Sequence, residues 1–418
     1  MSIIAELSNP QEWEQVPFGR LVVRTKVSGY PELDPLSVFL DEGVVPRSSR
    51  DDNHNRLGED LSKYLLVEPN DIVFNKLRTW QGGLGVSIYR GIVSPAYFVC
   101  RPIQAVDSRF LHYLLRSSVY LQELTRISKW MPPSQFDISW EQLRCLPIVL
   151  PSVDEQLQIV DYLEAETARI NTLIYKKRRL IELLSEHLRR FTIFHVAGEG
   201  YKDLWSPGPY WLGPVPRSWM PHKIAWYKQT GSGTTPESGN SKYYDDLEGI
   251  PWVTTSELRE TSIRETGQRV TDEACSKYSA LKVFPPGSIL IAMYGATVGR
   301  LGVLEVPAVT NQACCAIFGA GPLDQRFLFW WLWAHREQII SMAYGAGQPN
   351  ISQEVIRGLR IPAPEVKEQQ EIVDRIEREA DRVERSIAKL TEFVELLVER
   401  RQALITAVVT GEMSVPKV

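Results

Sequence analysis

Leu-Pro-Ser-Val-Asp-Glu-Gln-Leu-Gln-Ile-Val-Asp at 150–161 returns as Ala-Pro-Glu-Val-Lys-Glu-Gln-Gln-Glu-Ile-Val-Asp at 363–374, and the same 213-residue offset carries Gly198-Glu199 onto Gly411-Glu412. The chain is a tandem duplication. A repeat this long is no solenoid unit of roughly 20–50 residues; two copies of half a protein imply internal pseudo-two-fold symmetry. Weaker matches reach into the intervening segments: Ser62-Lys63-Tyr64 with Ser276-Lys277-Tyr278, Leu84-Gly85-Val86 with Leu301-Gly302-Val303, and Arg109-Phe110-Leu111 with Arg326-Phe327-Leu328. The order reads globule, helix, globule, helix, with expected divisions at residues 1–150, 151–200, 201–363 and 364–418.

Each helical segment has a readable start and stop. In the first, Pro147 and Pro151 precede Ser152 or Asp154 as a cap, Glu155 and Gln156 fill the opening turn, and Gly198 closes the run. Apolar residues recur at Ile159, Leu163, Ile170, Ile174, Leu180, Leu184, Leu188 and Phe191, and in the second copy at Ile372, Ile376, Val383, Ile387, Leu390, Phe393, Leu397 and Leu404. Spacings of three, four and seven without internal Gly or Pro predict coiled-coil helices of about 42 residues, on the order of 60 Å long. Neither stripe can be buried alone, and each has the other as complement, so the two helices are expected to pair. The fold class is α+β: two mixed α/β globules separated by two long coiled-coil helices, with pseudo-two-fold internal duplication.

The segments between are punctuated by Gly and Pro and carry short β-rich runs at 71–74, 85–89, 288–291 and 303–306, with single short helices expected at Arg109–Leu124 and Asp324–Met342. At 418 residues and 44% apolar composition, the chain can bury two or more cores. The N-terminus Met1-Ser2-Ile3-Ile4-Ala5-Glu6 lacks a basic region before an apolar run, and nothing approaches the roughly 18 apolar residues of a membrane span, so a cytoplasmic protein without membrane contact is expected. Five cysteines without a C-x-x-C read as small buried hydrophobes, and six scattered histidines offer no ligand spacing. The formal charge of −4 is unfavourable for binding polyanions, but it is localised: residues 154–199 and 365–412 hold 15 Lys/Arg against 20 Asp/Glu, leaving 32 against 31 elsewhere.

Three features together resemble the specificity subunits of type I restriction-modification systems. These are the duplicated helix opening with Pro-x-x-x-Glu-Gln and closing with Gly-Glu, the stretch Gly295-Ala296-Thr297-Val298-Gly299 through Thr310-Asn311-Gln312, and Gly231 to Pro236 followed by Ile250-Pro251-Trp252. The resemblance implies that the globules are target-recognition domains, each reading half of a split double-stranded DNA sequence. It also implies that the two long coiled-coil helices pack antiparallel as spacer and docking platform for two modification (methyltransferase) subunits, joined by restriction/translocase subunits. S-adenosylmethionine, ATP and Mg are then expected in those partners, with no cofactor, metal or catalytic residue in this chain. The first globule has Arg78-Thr79-Trp80-Gln81-Gly82-Gly83 where the second has Tyr294-Gly295-Ala296-Thr297, so the two half-sites should differ.

Base readout needs donors and acceptors on loops, flanked by cations for phosphates. In the first globule Arg47, Arg50, Asn53, Asn55, Arg56, Lys76, Arg78, Trp80 and Gln81 satisfy this; in the second, Ser232, Thr234, Thr235, Lys242, Tyr243, Arg259, Arg300, Gln348 and Asn350. Gly231-Ser232-Gly233 lacks the Lys of a P-loop and reads as a turn. Trp130-Met131-Pro132-Pro133 lacks the polar first and aromatic fourth residues of an amino-methyltransferase motif, and Glu365-Val366-Lys367 sits at a helix start, where it reads as capping. Two rivals remain: a single-chain modification/restriction enzyme, and a coiled-coil scaffold with protein-binding heads.

Overall fold

The computed structural model describes residues 13–416 apart from 41, 51–56, 59, 104–105, 132–134, 207, 209–211, 246 and 343–349. Asn53, Asn55, Arg56 and Gln348 lie outside the described residues. The chain forms two compact units, Met1–Arg179 with Leu390–Val418, and Leu180–Lys389. The first long helix, Val153–Ala197, has 45 residues, and the second, Val366–Val409, has 44; each gives one part to either unit.

The globule of the first unit is built on an antiparallel sheet in the order Val22–Thr25, Tyr97–Pro102, Ile72–Asn75, Leu84–Val86. Strand alternation sorts its central strand onto two cores. Ile72 and Phe74 join Leu84, Phe98, Cys100 and the helix Ser108–Leu115, while Val73 joins Leu36, Val38, Val44, Val67 and Val93 on the opposite face. A strand buried on both faces is apolar at every position, which is why 72–74 shows no polar alternation. The second globule repeats the scheme in a five-stranded sheet: Ile289 and Ile291 face one core, Leu290 and Ala292 the other.

The duplication extends to individual hydrogen bonds. Gln156, 1% exposed, donates to Pro151 O (3.0 Å) and accepts from Asp107 N (2.9 Å), tying the first turn of the long helix to the capping residue of Ser108–Leu115. Gln369, 0% exposed, does the same with Pro364 O (2.8 Å) and Asp324 N (2.7 Å), and Asp324 caps Gln325–Ala334. Arg109 reaches Glu164 and Asp161 on the first long helix, and Arg326 reaches Glu377 and Asp374 on the second. Both long helices stop at a left-handed glycine, Gly198 (φ 69°) and Gly411 (φ 77°), a conformation that a Cβ would strain.

Inside each unit the long helices run antiparallel. In the first, Ile170 and Ile174 pack on Val394 and Leu397, and Asn171 bonds Arg401; in the second, Leu188 packs on Ala380 and Val383, and His187 bonds Glu379 at 2.8 Å.

Several expectations need correction. Phe393 is 44% exposed and Val394 takes its place in the seam; Leu180 is 41% exposed. The seam is therefore shorter than the periodic stripe, because the pattern of apolar spacing does not distinguish the paired face from a second apolar face. The two globular helices are each broken in two: Ser108–Leu115 is followed by Ser118–Ile127, with Ser117 Oγ turned back on Leu114 O (2.7 Å), and Gln325–Ala334 is followed by Arg336–Ser341. Gly231-Ser232 is not a turn but the end of the edge strand Gln229–Ser232 paired with Cys314–Phe318. The cysteine reading holds for Cys100, Cys314 and Cys315, which are buried, and fails for Cys145, which is exposed.

Candidate nucleic-acid interface

In the first globule the loop after the central strand presents the cations. Asn75 accepts from Leu77 N through its side chain (3.2 Å) and from Arg78 N through its backbone (2.9 Å), and Thr79 Oγ1 donates to Asn75 O at 2.7 Å. Gly83 closes the loop, because a Cβ there would lie 2.7 Å from both Cβ and O of Arg78. Arg78 is thus held exposed on a rigid turn. Its guanidinium and that of Arg47 both favour the ionised form of the Tyr97 phenol, while burial outweighs them and pushes its pKa up; residues 31 positions apart in sequence therefore share one face. Lys76 stands 4.7 Å from the Phe98 ring centre, and Arg24, which sequence reasoning missed, stands 4.5 Å from it. Gln81 is exposed and lines a cavity with Arg116, Asn171 and Arg401. Arg50 is different: its guanidinium lies over Phe39 (4.4 Å) and pairs with Glu42 (3.2 Å), so part of its charge is already compensated.

In the second globule the three separated stretches that carried the resemblance converge. Gly233 N donates to Thr310 Oγ1 (3.0 Å), Thr235 Oγ1 to Gln312 Oε1 (2.7 Å), and Trp252 Nε1 to Thr234 O (3.3 Å). A Cβ on Gly233 would sit 1.7 Å from Thr310 O, so this glycine serves close packing of backbone, not a phosphate cradle. Ser232 is half-buried, Lys242 and Arg259 are exposed, Arg300 is half-buried, and Asn350 is exposed and bridged to Tyr294. Tyr243 needs correction as a contact residue: it is 5% exposed, packs with Trp252 and Val270, and its hydroxyl accepts from Lys277.

A shared scaffold underlies both faces. Ile138 N donates to Lys76 O (3.4 Å) and Ile351 N to Met293 O (2.7 Å), so in each globule the loop after the central strand is bonded to the isoleucine of a matching sequence segment, Gln-x-Asp/Asn-Ile-Ser at 135–139 and 348–352. Both isoleucines are buried, and both serines cap a short helix, Ser139 bonding Gln142 N and Ser352 bonding Val355 N, each at 3.2 Å. Applying the 213-residue offset to Gln348 and Asn350 would have found the first-globule segment in the sequence.

Burial holds His112 at about 3 and His335 at about 4, so both are neutral imidazoles near pH 7, and burial lifts the Cys315 thiol to about 12. Among the described residues no His/Cys/Asp/Glu group is arranged to hold a metal ion, and no helix is long and apolar enough to cross a membrane.

Residues 229–391 match the type I restriction modification DNA specificity domain. The type I restriction enzyme MjaIX specificity subunit of Methanocaldococcus jannaschii is 26% identical over 38% of this chain and 38% of its own length. The MjaVIII specificity subunit of the same organism is 24% identical over 88% of this chain and 86% of its own. A solved chain from work on complex assembly and conformational transition of the type I R-M system shares the fold, with a TM-score of 0.73 at 19% identity, covering 97% of this chain and 100% of that one. With a duplicated helix and globule scheme, motif stretches that converge in space, and a matching domain at the second globule, the chain is similar to type I restriction-modification specificity subunits over most of its length.

Proposed function

We propose that this chain reads a bipartite, asymmetric DNA target for a type I restriction-modification complex. The first globule reads through Arg47, Lys76, Arg78, Trp80 and Gln81, and the second through Ser232, Thr234, Thr235, Arg259, Arg300 and Asn350. The observation that carries this reading is the twin scaffold with unlike side chains: equivalent loops are bonded to the isoleucine of matching Gln-x-Asp/Asn-Ile-Ser segments, yet one face is led by arginine and lysine and the other by threonine, glutamine and asparagine. Equivalent frames with different donors and acceptors suit two different half-sites.

Two modification subunits dock on the long helices. Leu180 and Leu183 of the first helix are 41% and 45% exposed, and their duplicates Phe393 and Leu396 are 44% and 54% exposed, so each repeat offers the same apolar position to a partner. S-adenosylmethionine, ATP and Mg belong to the modification and restriction partners.

The test is sequence-selective DNA binding by the chain reconstituted with its modification partner, with the target taken from the methylated positions in the genome of expressing cells. A split motif with unlike halves is expected, bound far more tightly than random duplex. Equal affinity for all duplexes would favour the scaffold with protein-binding heads, and S-adenosylmethionine binding by the isolated chain would favour the single-chain enzyme.

A further inference from the structure

The first globule carries an aromatic hairpin that the charged residues of its face do not explain. Strand Lys129–Met131 pairs antiparallel with Gln135–Asp137, and all three residues of the first strand are exposed, Trp130 at 49% and Met131 at 41%. Such exposure on a short hairpin is unfavourable in water, since each Å² of apolar surface left wet forgoes about 25 cal/mol. The Trp130 ring is nevertheless held in place: its centre lies 5.0 Å from Phe136, and Phe136 lies 5.0 Å from Trp80. Trp80 is fixed in turn by its indole N–H, which donates to Leu77 O at 3.1 Å. Three rings thus run from the rigid Arg78 loop out to the hairpin strand, and Ile138 N to Lys76 O ties the far end of the hairpin to the same loop.

The charges around this patch select the occupant. Lys129 lies on the hairpin itself, and Lys76 and Arg78 lie on the loop to which Ile138 ties it, Arg78 and Lys129 exposed; the carboxylate on the hairpin is Asp137, cross-strand from Lys129. An apolar tip between cations fits a polyanion that also offers apolar edges, which is the description of a nucleic-acid groove, where phosphates meet the cations and base edges or steps meet the rings. Sequence correspondence points the same way: the hairpin's second strand forms the first three residues of the Gln-x-Asp-Ile-Ser segment, and at the 213-residue offset Trp130-Met131 become Ala343-Tyr344. A tryptophan in one copy thus stands where the other has alanine, at a position where a reader of two unlike half-sites should differ.

We infer that Trp130, braced through Phe136 and Trp80, is an apolar specificity contact to the bases of the first half-site. The inference rests on the DNA-reading function proposed above and assigns a contact the charged and polar residues do not supply.

The test uses the full chain in complex with its modification partner, with Trp130→Ala and Trp130→Phe beside the unaltered protein. Trp130→Ala is expected to lower affinity for the cognate duplex by roughly tenfold or more. It should leave random-duplex affinity and the salt dependence unchanged, and it should relax methylation at the first half-site alone; Trp130→Phe should retain most of the discrimination. Unchanged cognate affinity and methylation pattern in Trp130→Ala would overturn the inference while leaving the DNA-reading function standing. Loss of complex assembly with unchanged affinity per assembled complex would also overturn it, making the hairpin a protein contact. Failure of the unaltered complex to prefer any sequence would instead sink the function itself. A near-ultraviolet dichroism spectrum differing only by one tryptophan verifies that the variant is folded.

Discussion

At the scale of single residues, the proposed function divides the candidate face into cations for phosphates and side chains for base edges. Arg78 is exposed on a turn whose own bonds fix it, so Arg78→Ala should leave the fold intact, weaken binding to cognate and random duplex alike, and reduce the slope of log affinity against log salt by about 1. A titration at several salt concentrations checks this; an unaltered slope would remove Arg78 from the phosphate contacts. The buried histidines set a second expectation. His112 and His335 are lowered to about 3 and about 4 by burial, so below an unfolded pKa of about 6.5 the unfolded chain takes up protons that the folded chain refuses. Stability present at pH 7 is therefore lost as pH falls from about 6.5 toward 4, with a slope approaching 1.4 kcal/mol per pH unit for each histidine. Urea midpoints between pH 7 and 5 measure it, and a flat profile would mean that these rings are not desolvated. The exposure of the candidate residues was only partly legible in the sequence. Arg78 and Gln81 are exposed as polar residues on Gly-bounded loops tend to be, whereas Tyr243 looked the same and is core, since burial of a loop tyrosine depends on Trp252 and Val270 arriving from elsewhere in the chain.

At the scale of elements, the two buried glutamines do more than the exposed arginine forks. Gln156 and Gln369 each satisfy a proline carbonyl and the amide of a helix-capping aspartate. Gln156→Ala and Gln369→Ala should each cost about 1–3 kcal/mol, and the double variant close to the sum because the two share no partner; denaturation midpoints test this. Removing Arg109 should cost well under that, its pairs with Asp161 and Glu164 being solvent-screened. The long helices were readable almost to the residue, because caps, a closing glycine and an unbroken period all agreed. Their seam was less so. A heptad pattern gives a period but not a phase when two apolar faces coexist, and on the second helix Val394 rather than Phe393 faces inward. The broken globular helices were also hidden, since neither break carries a proline; at the first, a serine hydroxyl bonded to a backbone carbonyl marks the turn.

At the scale of the whole molecule, the proposed function makes the long helices a ruler. Inserting one heptad after Arg179 and another after Lys389 preserves the apolar phase and adds about 10 Å to each helix, on the order of three base pairs. The unspecific gap between the half-sites should widen by about that amount, as read from methylated positions; an unaltered gap would exclude helix length as the determinant. The exposed apolar repeats predict in addition that Leu183→Asp with Leu396→Asp abolishes assembly with modification subunits without unfolding either unit, as size measurements of the mixture would reveal.

One feature of this layout bears on how the protein is made. The second unit is a single uninterrupted run, Leu180–Lys389, whereas Val408 and Val409 complete the core in which Ile159, Val160 and Leu163 are buried. On a ribosome the reader translated first must therefore wait with part of its apolar surface uncovered until its counterpart has been synthesised in full. Protease treatment of stalled nascent chains should find 180–389 resistant before 153–179, and that interval is when a chaperone, or a second nascent copy, has most to bind.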